Sequence, residues 1–224
     1  MFHSQDPRTI LKEQDWPISV EMQFLAGMEE GKERPTGNMC SPGTDIVYMG
    51  KLDPNHCVNS TSETYFGDQW VTAELIVYGD SLVKHIINGK TVLEYTKPQM
   101  GGGVVNGYDP TVFKPGTPLK EGFIALQSEG QPIDFRNIQI RNLKGCMDPK
   151  AANYRKFYVE PRPGQLPLQL TIFYREYHYI LNYYPKVQRR PRWHHHWTNN
   201  IDKVRHDKSS ALQFRPPSFS RISF

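Results

Sequence analysis

The sequence predicts an all-β protein, an antiparallel β-sandwich of two sheets. Three observations carry this. Apolar and polar residues alternate with a period of two in several short runs. Turn residues punctuate those runs, with 17 Gly and 18 Pro in 224 residues. No run keeps a helical period long enough for an amphipathic helix. Aromatic residues make up 12% of the chain, a supply of large side chains for a sandwich core.

The first strand is read at Ile18 to Leu25, where Ile18, Val20, Met22 and Phe24 share one face and Ser19, Glu21 and Gln23 the other. Gly27 to Thr64 reads as a turn-rich loop punctuated by Pro35-Thr36-Gly37-Asn38, Ser41-Pro42-Gly43 and Asp53-Pro54-Asn55, with a short strand at Ile46-Val47-Tyr48. Trp70 to Tyr78 alternates again, with Val71, Ala73, Leu75 and Val77 on the apolar side. Val83 to Ile87 and Thr91 to Tyr95 flank Asn88-Gly89, a dipeptide suited to a type I′ turn because both central positions need positive φ. Gln99 to Thr117 is a Gly/Pro-rich excursion, and Phe123 to Gln127 with Ile133 to Ile140 reads as a closing hairpin. Leu166 to Phe173 is a further strand candidate.

Three segments resemble a known family. They are Ile18 to Gly27 (ISVEMQFLAG), Tyr65 to Tyr95 (YFGDQWVTAELIVYGDSLVKHIINGKTVLEY) and Gly122 to Leu143 (GFIALQSEGQPIDFRNIQIRNL). In this order they are similar to the 3-keto-disaccharide hydrolase family, over roughly residues 1 to 160. The resemblance implies a concanavalin-like jelly roll with a groove on its concave sheet. It also implies cleavage of the glycosidic bond of sugars oxidised at C3, hence an oligosaccharide or modified sugar as partner. In that family several strands precede the segment that Phe2 to Pro7 resembles. The sandwich is therefore expected to be incomplete at its N-terminus, with an export signal lost and a periplasmic or extracellular location. The domain reading is 1–145 sandwich, 146–160 a small Cys-Met-Asp-Pro motif, and 161–224 a disordered basic, aromatic tail.

Candidate chemistry follows from residue type and position. Glu21 is a candidate general acid/base or metal-binding carboxylate, set against the alternative of a solvent-facing strand residue. His85 titrates near neutrality and is a candidate proton shuttle, set against a plain cross-strand residue. Arg136 offers a planar fork for a sugar oxygen or a groove carboxylate, set against a structural ion pair. Gln23, Trp70, Gln127 and Glu129 are candidate sugar contacts, and Trp70, Tyr78 and Tyr95 are candidate stacking platforms. Many family members carry His where Glu129 stands, which bears on catalysis here. A C3 ketone acidifies the C2 hydrogen, so the implied scheme is proton abstraction, elimination and hydration. It requires a base (Glu21 or His85) and an electrophile, either Arg136 or a divalent cation such as Ca²⁺ or a transition metal. The expectation is that Glu21, His85 and Arg136 converge in one hollow. A non-catalytic carbohydrate-binding module on the same fold, and an inactive fragment, are the alternative readings.

Three cysteines leave one unpaired: Cys40 and Cys57 share one loop region and could join, leaving Cys146. His56 and Cys57, with His194, His195 and His196, are the soft-ligand candidates, but no dedicated metal site is assigned. Asp148 and Asn153 offer oxygen ligands for Ca²⁺, although Asp148-Pro149 reads first as a turn. The net charge of +4 hides an asymmetry: from Pro161 onward there are eleven Lys/Arg against three Asp/Glu, a net of +8, which leaves residues 1–160 at −4. The basic tail is read as a solvated segment and no nucleic-acid partner is assigned. No apolar run is long enough to span a bilayer. A catalytic-triad order, a phosphate loop, a dinucleotide fingerprint and zinc-finger spacing are all absent.

Overall fold

The computed structural model describes residues 1–130 and 132–161, together with the backbone of four later strands. The strands are β1 (Glu21–Gln23), β2 (Asn38–Cys40), β3 (Thr44–Tyr48), β4 (Lys51–Asp53), β5 (Cys57–Val58), β6 (Ala73–Tyr78), β7 (Leu82–Ile87), β8 (Lys90–Met100) and β9 (Ile124–Leu126). They continue with β10 (Asp134–Phe135), β11 (Gln139–Asn142), β12 (Lys144–Gly145), β13 (Glu160–Pro161), β14 (Tyr179–Ile180), β15 (Lys203–His206), β16 (Ser209–Phe214) and β17 (Phe219–Ser223). A 3-10 turn at Pro7–Thr9, capped by Asp6, accompanies them.

The β-sandwich expected from the sequence is present. One layer is a seven-stranded sheet in the order β11-β17-β6-β7-β8-β3-β4. The other is assembled from β5-β2-β1 and β9-β16-β15, and the first residues of the chain join the two pieces. Phe2 and Val20 exchange backbone hydrogen bonds of 2.8 and 3.0 Å, and Ser4 and Phe123 exchange bonds of 3.0 and 2.9 Å. Residues 1–5 thus act as a strand between β1 and β9.

The core lies between the layers. Val20, Met22 and Met39 pack from one side, and Leu75, Val77, Val83 and Ile87 from the other. The period-two pattern decides which residues enter it: Ala73, Leu75 and Val77 are buried, while Glu74, Ile76 and Tyr78 between them are half-buried. Asn88 and Gly89 have φ of 47° and 77°, so the predicted type I′ turn joins β7 to β8. The Asn88 side chain adds to it, accepting from the Thr72 N–H at 3.0 Å and donating to the Tyr65 hydroxyl at 3.0 Å.

The sequence reading and the structure differ in two places. The loop from Gly27 to Thr64 holds β2, β4 and β5 besides the predicted strand. β2 was hidden because all three of its residues are buried, which erases alternation. The closing hairpin is not a hairpin. β9 pairs with β16 in one layer, whereas β11 pairs with β17 in the other. Asn137, at φ 64°, breaks the expected strand into β10 and β11. The segment after β9 therefore crosses between layers instead of returning along β9. The strand expected at Leu166 to Phe173 and most of the tail read as disordered lie outside the described residues. Within the tail, β17 sits between β6 and β11, with Phe219 opposite Tyr78 and Asn142 opposite Ser220.

Candidate functional site

A cavity of about 420 Å³ opens beside β1. Glu21 and Gln23 line one wall, and Gln127, Ser128 and Glu129 after β9 line the opposite one. Phe24, Ile133 and Phe135 add apolar surface, and the cavity reaches inward to Leu75 of the facing layer. β1 sets the first wall because its central Met22 plugs into the core, so its flanking Glu21 and Gln23 point the other way. Gln23 is steadied at its oxygen by the Asn38 side-chain amide at 3.4 Å. On the opposite wall the Gln127 amide donates to Glu129 at 3.1 Å.

Burial is the main influence on Glu21 and raises its carboxyl above the ordinary value of 4.5. The Met1 amino group, which donates to the Ala125 carbonyl at 3.0 Å, pulls the other way, and the Glu129 carboxylate adds a smaller upward push. The site therefore holds a carboxylate more basic than a surface Glu, facing groups that donate and accept hydrogen bonds.

The structure thus brings together Glu21, Gln23, Gln127 and Glu129. His85, Trp70 and Arg136 do not line this cavity, so the expected convergence of Glu21, His85 and Arg136 does not occur. His85 lies on β7 with 0% exposure. Its Nδ1 lies 2.8 Å from the Gly37 carbonyl, which only accepts, so Nδ1 carries the proton. Nε2 is then the acceptor for the Tyr95 hydroxyl at 2.9 Å. Burial lowers the His85 pKa to about 4, which keeps the ring neutral. Phe2 packs edge-on against the ring, with centroids 6.5 Å apart. Tyr95, read as an exposed stacking platform, is 2% exposed and committed to His85. Arg136 lies over the face of Trp70, 3.7 Å from the ring centroid, so these two are engaged with each other.

Arg34 and Met28 are among the cavity residues that escaped sequence reasoning. Arg34 donates through Nη1 to the Ala26 carbonyl at 2.6 Å and lines the cavity. Met28 lines it while remaining 70% exposed. Both sit in a segment, Gly27 to Pro35, whose charge and turn content mark only a surface loop; the sole hint was an Arg beside a rigid Pro35-Thr36-Gly37 turn.

Cys40 and Cys57 are joined by a disulfide across β2 and β5, and Cys146 is free. Asp148 organises a turn, its carboxylate accepting from the Lys150 N–H at 2.9 Å and its carbonyl from the Ala151 N–H at 3.0 Å. Among the described residues no helix is long and apolar enough to cross a membrane.

The described residues thus form a two-layer β-sandwich with a carboxylate-bearing cavity lined by amide side chains. The family model described as "3-keto-alpha-glucoside-1,2-lyase-like domain" matches residues 1–141, and the chain belongs to that family. No curated protein and no solved structure matches it.

Proposed function

We propose that the cavity binds a 3-keto glycoside and that Glu21 is the base that starts its cleavage. The observation that carries this reading is Glu21 itself, a carboxylate whose proton affinity is raised by burial in a cavity of about 420 Å³. That volume falls within the range of about 300–1,000 Å³ common for ligand sites. In the proposed step Glu21 takes the C2 proton, and the C2–H electron pair moves first into the enolate of the C3 ketone. Collapse of the enolate forms the C1=C2 double bond and breaks the C1–O bond, so the aglycone leaves with that electron pair. Addition of water across C1=C2 completes the hydrolysis. Gln23 and Gln127 supply hydrogen bonds to sugar hydroxyls. Arg34 takes the electrophilic role first assigned to Arg136, because it lines the cavity and Arg136 does not. The Cys40–Cys57 disulfide supports an oxidising, extracytoplasmic compartment.

The test compares wild type with Glu21→Gln on a 3-keto disaccharide, with product release followed by chromatography and binding by calorimetry. Loss of turnover with binding retained supports the reading. Undiminished turnover removes Glu21 from it, and binding of a plain glucan without any turnover replaces it with a sugar-binding module.

A further inference from the structure

Cys40 and Cys57 stand directly opposite each other on β2 and β5, and Glu21 stands opposite Cys40 on β1. Residues paired in this way share a sheet face, so Glu21, Cys40 and Cys57 form one ladder on the side away from the core. The core side of the same ladder is Met22, Met39 and Val58. Next to the disulfide is His56. One of its ring nitrogens and the two sulfurs all lie within 4.8 Å of one another.

The backbone that carries this imidazole is tied down on both sides. The His56 carbonyl accepts from the Ser41 N–H at 2.8 Å and from the Ser41 hydroxyl at 3.1 Å. The turn before it is closed by Asp53, whose carboxylate accepts from the Asn55 N–H at 2.9 Å and the Asn55 side-chain amide at 2.8 Å. Cys40 is buried and Cys57 is exposed on the outermost strand of its sheet. One sulfur is thus anchored in the fold, while the other faces the solvent from which a reductant or an ion arrives.

Two thiolates and an imidazole at this spacing are a donor set for a borderline-soft divalent cation, with zinc the type case. We propose that Cys40, His56 and Cys57 form a redox-gated site for such a cation, closed while the disulfide stands and open to Zn²⁺ once a dithiol has reduced it. In the reduction the dithiol delivers two electrons and two protons, the S–S bond breaks to two thiols, and the dithiol closes to its own disulfide. Zn²⁺ then displaces both thiol protons to solvent, forms two Zn–S bonds and one Zn–N bond to neutral His56, and leaves its fourth position to water. Tetrahedral zinc holds its sulfurs about 3.8 Å apart from Zn–S bonds of about 2.3 Å. Rotation of the exposed Cys57 side chain supplies that separation.

The test uses the full chain with His194, His195 and His196 replaced by Ala, so that the tail contributes no competing imidazoles. The protein is reduced with dithiothreitol, freed of it without air, and titrated with Zn²⁺ against a chromophoric chelator. The oxidised chain is titrated in parallel. The expected result is one Zn²⁺ per reduced chain, none per oxidised chain, and at least tenfold weaker binding in both Cys57→Ser and His56→Ala. His56→Ala keeps the disulfide, so its fold is checked in the oxidised form. Equal binding by oxidised and reduced chains, or undiminished binding in reduced His56→Ala, overturns the proposal. Neither outcome depends on whether the Glu21 cavity is catalytic.

Discussion

Replacing His85 by Gln removes the pH sensitivity that this residue builds into the fold. In the folded protein its pKa is lowered to about 4, against 6.5 when unfolded. A histidine with a depressed folded pKa favours unfolding where only the unfolded chain takes up the proton. Its stabilising neutrality is complete above pH 6.5 and is lost as pH falls through that value toward 4. Each pH unit inside the window costs about 1.4 kcal/mol. Wild type should therefore lose about 2 kcal/mol between pH 7 and pH 5 through His85 alone. The cause is structural: protonating Nε2 evicts the Tyr95 hydroxyl as its donor and places a charge among apolar groups. Urea unfolding at pH 7, 6 and 5 measures the effect. His3, whose pKa is also lowered by burial, adds a loss of the same sign in both proteins, so the difference between them isolates His85. Identical pH slopes for wild type and His85→Gln would falsify the assignment of a neutral, doubly bonded ring.

Other perturbations have equally definite outcomes. Cys57→Ser opens a cross-link spanning 17 residues and should lower stability by about 3 kcal/mol in the chain-entropy model, read from urea midpoints. Asn88→Val puts a β-branched residue at φ 47° and removes two hydrogen bonds; a loss of about 2 kcal/mol is expected in thermal unfolding. Arg136→Ala removes the contact over Trp70 and no residue lining the cavity, so turnover of a 3-keto disaccharide should be unchanged while stability falls by about 0.5–1 kcal/mol. Because Glu21 must be ionised to accept a proton and burial raises its pKa, turnover should rise with pH through an apparent pKa above 4.5, and a pH–rate profile checks this.

The sandwich was legible because its central strands are half-buried: Ala73, Leu75 and Val77 alternate with more exposed neighbours, and Asn88-Gly89 announces its turn chemically. β2 was not legible, since Asn38, Met39 and Cys40 are all buried and carry no period. The crossover after β9 was hidden for a different reason. A short turn followed by β-formers reads the same whether the chain returns to its own sheet or crosses to the other, and only the left-handed Asn137 marks the break. At the site, Glu21 and Gln23 were found from alternation, which assigns a face correctly whenever one face is core. Alternation sets His85 on the same face as Val83 and Ile87, but it does not tell what a histidine does there. A histidine pointing into the core and one lining a groove look alike until Gly37 and Tyr95 are seen to take both ring nitrogens. Arg34 was missed because its place depends on how a loop of some 40 positions folds back on β1, which no local pattern encodes.

Glu21 as the group that removes the C2 proton of a 3-keto glycoside is the claim most directly open to measurement. Proton NMR of the substrate in D₂O, with wild type and Glu21→Gln side by side, follows the C2 hydrogen before and during cleavage. Loss of the C2 proton signal with wild type, and its persistence with a folded Glu21→Gln, is the predicted result. Cleavage that leaves the C2 hydrogen in place, or equal exchange by the two proteins, contradicts it.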